Sequence, residues 1–248
     1  MRTLVFASRN TKEITRDVFT LLFGIAFPLI LLVLLSAINA GIPAQAGMKL
    51  FDIDNLVPGI CVFGLSFISL FTATLVSKDR CTSFILRLFT SPLKSGQYII
   101  GYTLPLIPMA VIQTATCYVA AFAFGLEWTP NILLAIVVNI PVAVFFIAVG
   151  LLCGTVFNDK AVGGVCGALL TNLSAWLSGT WFDLKLVGGA FEKAADLLPF
   201  SHAVNAGRYA LWGEYGKILP ELVWVIGYAV AIALIAVLLF SYKMKQDK

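Results

Sequence analysis

KDRCTSFILRLFTSPLKSGQYIIG, residues 78–101, is the longest charged segment between two apolar runs in the first half of the chain. Its basic residues Lys78, Arg80, Arg87 and Lys94 face a single acid, Asp79. Phe84, Ile85, Leu88 and Phe89 recur at i, i+1, i+4 and i+5, which gathers them on one face of a short helix and turns Arg80, Ser83 and Arg87 the other way. Thr82 or Ser83 suits the start of that helix, and Pro92 stops it. A dozen residues cannot cross a bilayer, which takes ~20. The segment therefore reads as an amphipathic helix, about 79–91, lying on the membrane between two spans with one face open to something outside the chain. A solvated, patterned loop is the alternative.

Composition places the remainder. Of the 248 residues 60% are apolar and 12% charged, where a soluble domain carries ~25% charged. The charges also cluster, leaving uncharged windows at 18–48, 55–77, 95–126, 128–158, 161–182 and 222–242. Each window holds one span of ~20 residues and none holds two with a turn. The expectation is an all-α integral membrane protein with six spans, at about 18–39, 56–77, 98–125, 132–157, 161–182 and 222–242. A barrel would show ~10-residue alternating segments, and there are none.

Lys and Arg counts orient the spans. With the N-terminus inside, twelve fall on inner segments (Arg2, Arg9, Lys12, Arg16, Lys78, Arg80, Arg87, Lys94, Lys160, Lys243, Lys245, Lys248). Five fall outside (Lys49, Lys185, Lys193, Arg208, Lys217). Both termini are expected in the cytoplasm, with 243–248 as a basic tail. The net charge of +4 follows from this bias, so no nucleic-acid partner is implied.

Residues 1–17 form a helix ahead of the first span. Leu4, Ala7, Thr11, Ile14 and Val18 fall at three- and four-residue steps, and Arg9 and Glu13 make an i, i+4 pair. An interfacial helix on anionic headgroups fits that pattern. Ala44-Gln45-Ala46 resembles a signal-cleavage site, but the apolar run before it is too long for an ordinary signal core. Gly150-x-x-x-Gly154 and Gly163-x-x-x-Gly167 allow close helix approach, read here as packing within the subunit. Residues 183–221 are the one long outer stretch. Leu184, Leu186, Val187, Phe191, Leu197, Leu198 and Phe200 are too apolar for water. Two short amphipathic helices dipping into the outer leaflet and broken near Pro199 are expected, buried by protein or lining a cavity.

The residues also exclude chemistry. One histidine, His202, reads as a structural hydrogen-bonder. Cysteines 61, 81, 117, 153 and 166 contain no C-x-x-C and support neither a disulfide framework nor zinc. No G-x-x-x-x-G-K-[ST] is present. No ionisable residue falls mid-span, where ion-coupled carriers keep their relays at a cost of ~2.5 kcal/mol or more each. Catalytic and metal-ligating residues are therefore not assigned, and transport would draw its energy from elsewhere.

The chain resembles the permease subunits of type-2 ABC transporters over nearly its whole length. Arg9-Asn10-…-Glu13-Ile14-…-Arg16-Asp17 followed by Phe27-Pro28-Leu29 looks like the family's connecting helix and first span. Lys78-Asp79-Arg80-…-Arg87-Leu88-…-Ser91-Pro92 looks like the inner loop that docks on the ATPase. Leu177-Ser178-Gly179-…-Phe182 and Leu198-Pro199-Phe200-Ser201-His202-Ala203-…-Arg208 look like the outer re-entrant region. The family often has Glu-Arg followed by Gly-Thr where this chain reads Asp79-Arg80-Cys81-Thr82-Ser83.

The resemblance implies two permease chains, identical or closely related, in a cytoplasmic membrane above two separately encoded ATP-binding subunits, which would hold ATP and Mg²⁺. Asp79, Arg80, Phe84, Arg87, Leu88 and Pro92 would belong to the coupling helix, and Arg9, Glu13 and Arg16 to the connecting helix that braces it. The path would run between the second and fifth spans of the two copies, lined by Phe63, Phe67, Phe71, Asn172 and Trp176. These same residues also read as core aromatics and a satisfied amide. An uncharged path favours export of a hydrophobic or amphipathic molecule such as a drug, antibiotic or lipid-like compound. A lipid-linked glycan is the second transport reading. A membrane anchor or intramembrane enzyme is the reading from another class, although an enzyme should show paired acid, base or nucleophile side chains.

Overall fold

The computed structural model describes residues 2–41, 51–82 and 95–246. These are helical almost throughout, and no strand occurs among them. α1 covers Arg2–Arg16. A short α2 (Val18–Leu21), a π-helical turn π1 (Leu22–Ala26) and α3 (Phe27–Gly41) follow as one run. Then come α4 (Ile53–Cys81), α5 (Ser95–Ala121, closing in a 3-10 turn at Phe122–Phe124) and α6 (Asn131–Val156). A second composite run joins α7 (Asp159–Val162), π2 (Gly163–Leu170) and α8 (Thr171–Leu177). Three shorter helices, α9 (Leu184–Val187), α10 (Gly189–Leu197) and α11 (Pro199–Trp212), precede the last, α12 (Tyr215–Gln246).

Five helices among the described residues are long and apolar enough to cross a membrane: Val18–Gly41, Ile53–Cys81, Gly96–Phe124, Asn131–Val156 and Tyr215–Tyr242. The span expected at 161–182 is the composite run, which stops at Leu177. Gly179 there adopts a left-handed φ of 69°, a conformation open to glycine, and turns the backbone out of the helix. The π1 turn has a cause in Pro28, which offers no N–H to the Gly24 carbonyl and crowds it, so the preceding turn widens.

α4 is the axis of the bundle. It packs most extensively on α6 and also meets α5 and α11, while α12 covers another side of α6. Glycine sets the α4–α6 distance: a Cβ on Gly150 would collide with the Ser69 carbonyl, and one on Gly154 would lie 2.6 Å from the Ala73 carbonyl. The pair Gly163/Gly167 behaves differently. Gly163 faces open space, and a Cβ on Gly167 would meet only the Leu70 side chain at 3.2 Å.

Three expectations are revised. The stretch 183–221 holds three helices instead of two before α12, with the break at Pro199 taking the first turn of α11, where a missing N–H costs nothing. α12 begins at Tyr215 instead of about 222, directly after Gly213 closes α11 with φ 76°. Lastly, Lys78, Asp79 and Arg80 form the last turn of α4. They are not the start of a separate surface helix at 79–91.

Candidate functional site: the joint between α1 and α4

Asp79 is only 2% exposed despite its charge. A buried carboxylate persists when it is paired and hydrogen-bonded. Arg9 supplies both: its Nη1 and Nη2 donate to Oδ2 and Oδ1 of Asp79, each at 2.8 Å. Tyr102 of α5 adds its hydroxyl, donating to Oδ2 at 2.9 Å. The guanidinium also reaches Asn10 Oδ1 at 2.8 Å and Glu13 at 2.7 Å. One carboxylate thus ties three helices, α1, α4 and α5, by charge-assisted bonds whose planar fork fixes orientation as well as distance. Burial raises the Glu13 carboxyl above its ordinary range, with Arg9 pulling the other way.

Packing doubles the tie. Asn10 is fully buried and donates to the Gly101 carbonyl at 3.0 Å. Phe6 sits edge-on to Tyr102 (centroids 4.9 Å, 81°) and to Tyr98 (5.8 Å, 81°). It occupies space that a Cβ on Gly101 would take. The buried face of α1 is therefore Phe6, Ala7, Asn10 and Ile14. The stripe expected from the sequence shares only Ala7 and Ile14 with it, and Leu4 and Val18 are exposed. α1 is fastened to the bundle along this face.

The next residue extends the joint. Arg80 donates from Nη1 to the Gly154 carbonyl at 2.8 Å and the Phe157 carbonyl at 3.3 Å, closing the end of α6. A cation at a helix C-terminus is favoured by the helix dipole and satisfies carbonyls with no intrahelical donor. Ser77 donates to Asp159 at 3.2 Å, adding α7. Arg16 is exposed. Phe84, Arg87, Leu88 and Pro92 lie outside the described residues, in the stretch that begins one residue after Thr82. The arrangement can hold the end of α4 rigid against four neighbours, α1, α5, α6 and α7, and pass motion along it.

A family model described as ABC-2 type transporter matches residues 1–212, and so includes α1, the joint and the outer helices. The chain belongs to the ABC-2 type transporter family. ABC transporter G family member 20 of Dictyostelium discoideum is 25% identical over 205 residues, a match covering 79% of this chain and 28% of that protein. The chain thus spans about a quarter of the length of that relative. Permeases of the ABC-2 family form membrane domains and work with an ATP-binding subunit.

The residues that the resemblance assigned to an ABC-2 path divide in two. Phe63 and Phe67 form an aromatic cluster with Phe23, Phe27 and Trp181, at centroid distances of 5.4 Å (Phe63–Phe67), 5.5 Å (Phe27–Phe67) and 5.6 Å (Phe63–Trp181). Phe71 is buried below them. Asn172 and Trp176 face outward from the chain: Trp176 is 55% exposed, and Asn172 bonds only the Ala168 carbonyl of its own helical run at 2.7 Å among the described contacts. One chain alone does not bring the two groups together.

Sequence reasoning missed Asn10, Phe6 and Tyr102, which carry no polar periodicity of their own. It also passed over Arg208 as a bond-maker. That side chain donates to the Asn55 carbonyl at 3.2 Å and the Gly179 carbonyl at 3.0 Å, locking α11 to the start of α4 and to the turn that ends α8. Burial lowers its pKa to about 10. His202 matches its structural reading, with one ring nitrogen on Glu221 of α12, the other on the Asp196 carbonyl at 2.7 Å, and its face stacked on Trp224.

Proposed function

We propose that this ABC-2 chain is the permease subunit of an ATP-driven exporter that carries a hydrophobic or amphipathic molecule out across the cytoplasmic membrane. A second copy of the chain, or a close relative, completes the path, and separately encoded subunits bind ATP and Mg²⁺. The observation that carries this reading is the buried Arg9–Asp79–Tyr102 joint, one turn before the amphipathic segment 83–94. A docking element at 83–94 pushed by an ATPase would move the end of α4. The helix continues unbroken from Asp79 to Phe67, about 18 Å at ~1.5 Å per residue. Displacement at the joint therefore reaches the aromatic cluster without an intervening hinge. The outward Asn172 and Trp176 suit a partner chain facing them, and the absence of charge from both groups, with aromatics predominating, favours an apolar or amphipathic cargo over an ion.

The test is affinity purification of the tagged chain from native membranes in mild detergent. A nucleotide-binding ATPase should co-purify, and Phe84→Ala and Arg87→Glu should lose it. Absence of any ATPase from the unaltered chain in several mild detergents would return the anchor reading to the front.

A further inference from the structure

A cavity of about 320 Å³ opens between the end of α1, the start of the first span and α4, within the size range of small-ligand sites. Its two walls carry the same order of chemistry. On α4 the lining descends from Lys78 through Thr74 to Leu70 and Phe71, steps of about one turn that keep them on one face. On the opposite wall it descends from Asp17 through Thr20 to Phe23. Glu13 stands at the rim beside Asp17. Charge of both signs at the mouth, hydroxyls one turn deeper and an aromatic floor make a gradient about 12 Å long at ~1.5 Å per residue. The rim is level with the membrane surface, because Asp17 immediately precedes the first span and Lys78 lies in the last turn of the second. Phe23 belongs to π1, and π turns inside helices frequently mark functional sites.

We propose that this cavity binds the headgroup of a phospholipid bearing both a phosphate and a primary ammonium, the phosphatidylethanolamine class, with its first acyl carbons on Phe23 and Phe71. Lys78 takes the phosphate. Asp17 and Glu13 take the ammonium, whose three N–H donors match carboxylate acceptors. Asp17 is held for this role: its Oδ1 accepts from the Phe19 amide at 3.1 Å and its Oδ2 from Thr20 Oγ1 at 2.8 Å. An anionic glycerol headgroup would meet two carboxylates with no cation of its own. A choline headgroup has no N–H to donate. Mixed charge at the rim thus selects the zwitterion with a primary amine. The site shares Phe71 and Phe23 with the aromatic cluster and Glu13 with the Arg9 joint, lies apart from the segment 83–94, and needs only the membrane setting.

Native mass spectrometry tests it. The purified chain is equilibrated with an equimolar mixture of phosphatidylethanolamine, phosphatidylglycerol and phosphatidylcholine of identical acyl chains, and the retained lipid is counted. Phosphatidylethanolamine should be retained over each competitor by roughly fivefold, the ratio supplied by partly exposed ion contacts. Glu13→Gln combined with Asp17→Asn, in which asparagine keeps the helix cap, should abolish the preference. Lys78→Gln should lower retention of all three lipids, since each carries the phosphate it holds, and leave the order among them. Lys217→Gln, remote on α12, should change neither. Retention in the proportions of the mixture, selection of phosphatidylglycerol, a preference that survives the carboxylate variant, or full retention with Lys78→Gln would overturn the proposal. The readout uses no nucleotide and no ATPase, so failure here leaves the exporter reading untouched, and failure of ATPase co-purification leaves this site standing.

Discussion

Arg9 and Asp79, seventy positions apart, meet in a two-pronged ion pair with both N···O distances at 2.8 Å. The pair joins a helix outside the spans to the most enclosed helix of the bundle. Asp79 is nearly inaccessible while the Arg9 side chain is 36% exposed, so water discounts the guanidinium more than the carboxylate. Asp79→Ala leaves the Tyr102 hydroxyl without its acceptor and takes from Arg9 its two-pronged partner, while Glu13 and Asn10 still hold the guanidinium. We expect it to lower unfolding free energy by about 2 kcal/mol, below the 3–5 of a fully buried pair. Thermal unfolding in detergent, with Arg9→Ala and the double variant, should give a coupling energy near 1 kcal/mol or above.

Tyr102→Phe removes one bond and leaves the ring against Phe6. The expected loss is about 1–2 kcal/mol, since the acceptor is a buried carboxylate. The same unfolding assay should place it between the unaltered chain and Asp79→Ala.

The two glycine pairs should separate sharply. Gly150→Ala and Gly154→Ala press a methyl group into backbone carbonyls of α4 and should each cost about 1–3 kcal/mol. Gly163→Ala meets nothing within 4 Å and should be neutral or stabilise by up to ~1 kcal/mol through helix propensity. Melting temperatures of the three variants check the contrast.

Arg208→Lys keeps the charge but cannot span the Asn55 and Gly179 carbonyls with one ammonium. We expect faster proteolytic cleavage in the 179–189 stretch with little change in detergent extraction. Limited proteolysis read by mass spectrometry would show it.

The bundle was legible because a bilayer excludes charge, and the windows between charged clusters mark five of the six expected spans directly, whereas the run at 161–182 stops at Leu177. The joint was not. Lys78-Asp79-Arg80 reads as the start of a surface loop, yet Arg9 satisfies Asp79, and carbonyls at the end of α6 accept from Arg80. Those partners lie 70 and 74 positions away, and local pattern carries no trace of them. Asn10 is polar by composition and buried in fact, because its amide donates to the Gly101 carbonyl, and the Phe6 ring beside it fits only because residue 101 has no Cβ. Asn172 and Trp176 were grouped with the α4 aromatics by family likeness, while their orientation depends on where π2 sets the helical phase.

The most direct test of the joint uses one cysteine as a reporter. In a Cys81→Ser background, Phe67→Cys is introduced, and the reaction rate of that site with a membrane-permeant maleimide, resolved from Cys61, Cys117, Cys153 and Cys166 by peptide mass spectrometry, is measured in vesicles containing the permease and its ATPase, with and without trapped nucleotide. If the joint passes motion from 83–94 into α4, the rate should change on nucleotide trapping, and Arg9→Ala should remove that change while the ATPase remains bound. An equal nucleotide response with and without Arg9 would contradict the account.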